Sequence, residues 1–239
     1  MSIEETDGTP EQRVLRLAAH ELRNVLSAGQ GWLGFVAKTG ELNDAQRRFI
    51  VSSQNAWGRV KTMVDEMSDL ASLEAGALVF NRRPVNLRRL LSDAIAAVPP
   101  ADSPGANITL SSGGEDRIVD ADAKKLRTAF VTVLFGVRRQ MSGDSEVVVL
   151  ETSRIIDGQE VCWIAIAAAD RVEAVRTAAP AELLPYFEFK GGQGLGPPIA
   201  RRVIEAHSGR IWSVLTEPAA GTPAKTHWAV IALPRLNAA

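Results

Sequence analysis

Three side chains near the amino end have the types and spacing that nucleophilic chemistry needs. They are His20, Glu21 and Asn24, in the run His20-Glu21-Leu22-Arg23-Asn24. An imidazole titrates near neutrality, and its unprotonated nitrogen is a nucleophile. A carboxylate beside it can take the proton released on attack and orient the ring. On an α-helix Asn24 falls about 40° around the axis from His20, so an amide shares the histidine's face. A lone helical histidine is ordinarily a surface residue; the acid and the amide around this one mark it as a site. A second set is Gly192, Gly194 and Gly196 in the run Lys190–Gly196. Glycines let backbone come close to a ligand, and a helix N-terminus behind them favours anions. Such a run by itself also fits a flexible loop.

The element that must carry His20 reads as a helix from Thr9 to Lys38. Thr9, Pro10 and Gln12 form a start signal of hydroxyl cap, proline and amide. Apolar or small residues recur at Val14, Ala18, Leu22, Val25, Gly29, Leu33 and Val36. That stripe centres roughly 170° from His20, so the helix buries one face and holds out the imidazole. Gly40 ends it, and Asn43 with Gln46 caps a second helix carrying Phe49/Ile50, Ser53, Trp57, Val60, Val64, Met67 and Ala71. Two such helices on a short turn form an antiparallel hairpin. Its uncovered apolar face predicts a homodimer, a four-helix bundle.

Beyond a link at Asn81–Val85 the pattern changes. Val85-Asn86-Leu87 reads as a strand lip before the helix LRRLLSDAIAAV. ANITLSS and RIVDAD read as strands. A helix follows with its apolar face on Leu126, Phe130, Val133, Leu134 and Val137. SEVVVLETSR and EVCWIAIAAA form a hairpin about Asp157-Gly158. PIARRVIEAHSG is a helix ended by Gly209, and GRIWSVL with KTHWAVIAL closes the domain. The fold class is therefore α+β: a helical hairpin over residues 1–80, then an α/β sandwich over 81–239 with helices on a mixed sheet.

Composition excludes several classes. The 27 basic and 28 acidic residues nearly cancel, which argues against nucleic acid or an anionic membrane as partner. One cysteine, Cys162, allows no internal disulfide and suits a reducing compartment. His20, His207 and His227 are scattered and no CxxC occurs, so no metal site is expected. The longest apolar run, Val161–Ala169, is far short of a membrane span, and MSIEETDGTP is no signal peptide. A cytoplasmic protein is expected.

The histidine run resembles the phosphoacceptor box of two-component sensor histidine kinases, in which an acid follows the histidine and Thr or Asn stands four residues on. The end of the second helix, with Leu73-Glu74-Ala75-Gly76, is similar to the same family. Lys190–Gly196 followed by IARRVIEAHSGRIW resembles the end of the ATP-binding domain shared by histidine kinases, gyrase, Hsp90 and MutL. The resemblance spans about Val14 to Pro234. It implies His20 as phosphoacceptor, Glu21 as proton acceptor and Asn24 as the group orienting water or an acyl phosphate. It also implies a nucleotide site at Asp170, Gly192, Gly194 and Gly196, with Arg139 near the phosphates.

The departures from the family pattern concentrate in that site. Val25 replaces the proline after the Thr/Asn position, so the first helix runs on without a kink. Where a magnesium-holding asparagine is expected, the sequence offers Thr132 or Gly136, and a hard cation loses an oxygen ligand. The Asp-x-Gly-x-Gly box falls on Asp170-Arg171-Val172-Glu173-Ala174. Pro197 and Pro198 remove two N–H donors from the phosphate cradle.

The leading expectation is a histidine phosphotransfer protein of a bacterial phosphorelay. His20 would pass phosphoryl groups between receiver aspartates, and the second domain would be a degenerate docking module. Receiver domains are the expected partners, docking along Ser27, Ala28 and Trp32, with an upstream histidine kinase as a further one. No resident cofactor is expected; ATP with magnesium follows only if the nucleotide site still works. The alternatives are a divergent sensor histidine kinase that autophosphorylates His20, and a pseudokinase regulator acting by binding.

Overall fold

The computed structural model describes residues 10–39, 41–99, 107–111, 116–141, 145–186, 194–216 and 226–236. The expected caps at Thr9 and Gly40 lie outside the described residues. Two compact units divide the chain, Met1–Val79 and Phe80–Ala239.

The first unit is a hairpin of α1 (Pro10–Lys38) and α2 (Asp44–Glu74). The capping box is formed: Asn43 Oδ1 accepts from the N–H of Gln46 at 2.8 Å, and Gln46 Oε1 from the N–H of Asn43 at 3.0 Å. Ala19 and Leu26 of α1 are buried with Val64 of α2, and Trp57 packs on this cluster. The indole lies close against Gly29, where a Cβ would stand 2.6 Å from Trp57 Cη2. Only glycine permits that approach.

The face of α1 turned to α2 is not the stripe expected from sequence. Val14, Ala18, Leu22, Val25 and Val36 are exposed, and only Gly29 and Leu33 of that set are half-buried. The contact face runs through Ala19 and Leu26, about 80° around the helix from the stripe's centre. The reason is steric. Small residues at Ala19 and Gly29 let α2 approach, while the larger apolar residues make a second face that the described residues of the hairpin leave uncovered. On α2, Phe49, Val60 and Met63 are exposed in the same way.

In the second unit a short ribbon pairs β1 (Arg83–Asn86) antiparallel with β3 (Ile118–Ala121). The main sheet has the order β2 (Asn107–Leu110), β4 (Glu146–Ile156), β5 (Gln159–Ala168), β8 (Thr226–Pro234), β7 (Arg210–Thr216), β6 (Leu184–Pro185). Among the described residues β2–β4 is the one parallel pair, so the sheet is mixed. Asp157-Gly158 is the expected two-residue turn, with Ile156 opposite Gln159. Helices α3 (Leu87–Ala96), α4 (Ala123–Arg138) and α6 (Gly196–Ala206) pack on one another and on the sheet. The predicted face of α4, Leu126, Phe130, Val133, Leu134 and Val137, is buried throughout. All of Val161–Ala168 is buried, as a strand covered on both faces must be.

The second cover is α5 (Val172–Thr177). Glu151 and Ser153 point toward the α3 side, since Glu151 Oε1 accepts from Arg88 at 2.8 Å and Ser153 Oγ from Arg117 at 3.0 Å. Alternation puts Arg154 on the opposite face. There its guanidinium stacks over Trp163 and donates to the carbonyls of Arg176 and Ala178 at the end of α5.

Candidate functional site: an exposed histidine and an altered nucleotide region

His20, Glu21 and Asn24 lie in the middle of α1, and all three side chains are exposed. They make no hydrogen bond to one another among the described residues. The ring is thus open to a partner from outside. Arg23, one turn on, donates from Nε to Asp65 Oδ1 of α2 at 2.7 Å. Nothing in the sequence announces this pair, because Asp65 is 42 residues away and no local pattern links the two.

Along the histidine's own line, Ser27 and Gly31 each fall within about 20° of His20. Ser27 is exposed, and a Cβ added at Gly31 would meet nothing within 4 Å. Small residues here leave room for an approaching surface. Trp32 belongs elsewhere. It is exposed and lies about 120° from His20, in the apolar arc with Val14 and Val25.

The residues that the resemblance assigns to a nucleotide are not gathered into a site by the described residues. Asp170 sits in a turn just after β5 with its side chain 73% exposed, 3.3 Å from Arg171 Nε. Immediately beyond it α5 forms, with Val172 and Val175 buried under it. Two apolar residues three apart favour a helix that lies on the sheet over the tight glycine turn of the family pattern. This segment therefore leads to the sheet face opposite α3, α4 and α6. Gly194 is exposed at a φ of +60°, and Gly192 lies outside the described residues.

Gly196 opens α6 and touches α4: a Cβ there would meet Thr132 Cγ2 at 3.1 Å. Thr132 turns its hydroxyl into its own helix, donating to Thr128 O at 3.1 Å. Gly136 is buried and has no side chain to offer. At the start of α6, Pro197 and Pro198 have no N–H, and the N–H of Ile199 already donates to Leu195 O at 3.1 Å. A phosphate there would find few free donors. Among the described residues no three His, Cys, Asp or Glu side chains are grouped to hold a metal. Among the described residues, Gly136 offers a magnesium ion no side-chain oxygen, and Pro197 and Pro198 offer a phosphate no N–H.

A different cluster is well built, at the other end of α6. His207 is buried; its Nδ1 lies 2.7 Å from Val203 O and its Nε2 accepts from the N–H of Asp122 at 3.0 Å. Both nitrogens are used only by the neutral tautomer protonated at Nδ1. Burial lowers the His207 pKa from its ordinary 6.5, and the positive charge of Arg82 adds to this. Phe80 sets its ring edge against the imidazole at 5.0 Å, and the N–H of Asn81 donates to Asp122 Oδ2 at 3.1 Å. For the Asp122 carboxyl, burial acts upward, but the N–H donors of Lys125 and Asn81 outweigh it and the pKa falls below 3.8.

Comparison with known proteins bears on the hairpin first. Residues 11–76 match the His Kinase A (phospho-acceptor) domain family. The cell-division control histidine kinase PdhS of Brucella abortus is 23% identical over 221 residues, covering 85% of this chain and 21% of that protein. Its counterpart in Brucella melitensis is equally similar. The chain thus spans about a fifth of the length of these relatives. Among solved structures, full-length ShkA in complex with AMPPNP is similar in fold, with a TM-score of 0.67 and 22% identity over 97% of this chain and 47% of that one. Among the described residues no helix is long and apolar enough to cross a membrane.

Proposed function

The chain belongs to the two-component histidine kinase family, and on that premise we propose that His20 is a phosphoacceptor that gains and passes on a phosphoryl group. One observation carries this reading: inside the segment that matches the phospho-acceptor family, His20 stands exposed with Glu21 and Asn24 exposed beside it. The lone pair of a neutral ring nitrogen attacks phosphorus. The bond from phosphorus to the donor oxygen breaks, and its electrons stay on that oxygen. The proton on the other ring nitrogen passes to a base, the role given to Glu21. Asn24 orients the incoming acyl phosphate or water. In the onward step a receiver carboxylate attacks phosphorus and the histidine leaves.

The source of the phosphoryl group divides two readings. The relatives are named as histidine kinases and align through both units, which favours a divergent kinase drawing on ATP. The specific observation favouring a relay between aspartates is the state of the nucleotide region. Thr132 lies against Gly196, Gly136 stands without a side chain, and prolines occupy the start of α6. These residues offer neither the oxygen ligand nor the N–H donors that a transfer from ATP would use. In either reading the exposed apolar arc of α1 and α2 pairs with a second copy, and receiver domains reach His20 along the line of Ser27 and Gly31.

The deciding experiment incubates the protein with magnesium and γ-labelled ATP, beside His20→Ala. Acid-labile label on the wild type alone establishes the kinase. Absence of label from both, followed by label taken from a phosphorylated receiver domain by the wild type alone, establishes the relay. A His20→Ala protein that still passes phosphoryl groups refutes both.

A further inference from the structure

The Arg23–Asp65 bond is the cross-hairpin ion pair nearest the histidine in sequence among the described residues, and stability gives it little reason to exist. Its side chains are 35% and 46% exposed, and pairs this open to water contribute little to a fold. Its position is the informative part. Arg23 is three residues from His20, about 60° around the helix, a spacing at which Cβ atoms stand roughly 5–6 Å apart. The guanidinium engages Asp65 through Nε alone among the described residues, so the bond occupies one of its five N–H donors. The terminal amino groups form the planar fork that matches two oxygens of a phosphoryl group.

We propose that Arg23 binds the phosphoryl group carried by His20, and that Asp65 is the positioning residue that holds the guanidinium beside it. This deepens, and rests on, the reading of His20 as phosphoacceptor. A dianionic group on the imidazole needs a cation that neither Glu21 nor Asn24 can supply. Arg23 supplies it from the same helix turn. Asp65 ties the long, flexible side chain to α2, so the fork is in place before the phosphoryl group arrives and less rotamer freedom is lost on binding. No bond to Arg23 is made or broken covalently. It offsets charge on the non-bridging oxygens in the transfer state and in the product.

The test uses phosphoramidate, a small donor that phosphorylates histidine without ATP or a partner protein. Acid-labile label on the full chain is followed for the wild type, His20→Ala, Arg23→Gln, Arg23→Lys and the charge swap Arg23→Asp with Asp65→Arg. Arg23→Gln is expected to slow labelling of His20 about tenfold or more, the loss of one charge-assisted contact. Arg23→Lys should recover part of the rate, having the charge but not the fork. The swap should keep a thermal midpoint close to the wild type's but not the labelling rate. Wild-type labelling by Arg23→Gln, or a swap that keeps rate and midpoint together, overturns the inference and leaves the pair purely structural. Equal labelling of wild type and His20→Ala overturns the phosphoacceptor reading beneath it.

Discussion

Replacing His207 by phenylalanine tests the physical account of the second unit most directly. The aromatic ring is kept and is somewhat larger, so the pocket beside Phe80 stays filled. What is lost is two hydrogen bonds: the N–H of Asp122 loses its partner at 3.0 Å, while the carbonyl of Val203 loses the ring contact at 2.7 Å but still accepts from the backbone N–H of residue 207 at 3.2 Å. One orphaned buried N–H costs about 1–3 kcal/mol, so the change should destabilise the unit by about that much at neutral pH. The pH dependence has a definite sign. The His207 pKa is lowered in the folded state, so its neutral form is favoured there and its contribution is complete above 6.5. As pH falls below that value the unfolded chain takes up a proton that the folded one refuses, and stability declines toward the folded pKa. Protonation would point an Nε2–H at the N–H of Asp122 and add a charge near Arg82, with Asp120 and Asp122 opposing it. Urea unfolding at steps from pH 7.5 to 5 is followed by near-ultraviolet dichroism, to which the Trp163–Trp212 pair of this unit contributes. The wild type should lose stability across that range, and His207→Phe should be weaker at pH 7.5 and flatter below it. The Asp122 carboxyl, lowered from 3.8, keeps its contribution above that value and loses it only at lower pH, so it does not intrude here. A variant as stable as the wild type, or one with an unchanged pH slope, would refute the reasoning.

Two further outcomes follow from the hairpin. Gly29→Val places a branched side chain where a Cβ already stands 2.6 Å from the Trp57 ring, so it should cost about 1–3 kcal/mol, read as a lower thermal midpoint in far-ultraviolet dichroism; an unchanged midpoint would show that the indole moves aside freely. Val25→Glu puts a charge in the exposed apolar arc and should turn a dimer into a monomer by light scattering without loss of helix; a wild type that is itself monomeric at tens of micromolar would end the bundle reading.

Much of the architecture was legible because it rests on local rules. The Asn43–Gln46 box, the buried face of α4 and the Asp157-Gly158 turn each depend on residues a few positions apart, and the structure has them where the spacing put them. The exposure of His20, Glu21 and Asn24 was legible too, since one helix fixes their common side. Other features depended on elements distant in sequence. Which of two apolar faces of α1 would meet α2 was decided by close approach at Ala19 and Gly29, a property of the pair of helices and not of either stripe. The Arg23–Asp65 bond needed the register of the hairpin. The His207–Asp122 bond needed α6 and α4 to meet across 85 residues.

The nucleotide region shows the same division. Sequence determined which donors and ligands are missing, because proline has no N–H and glycine no side chain wherever they stand. Tertiary structure decided where the altered segments go: α5 onto the sheet face opposite the helices, held by Arg154, and Gly196 into contact with Thr132. Residue chemistry is a local property and survives any fold. Which groups stand within reach of one another is set by packing between elements far apart in the chain, and that belongs to the folded protein.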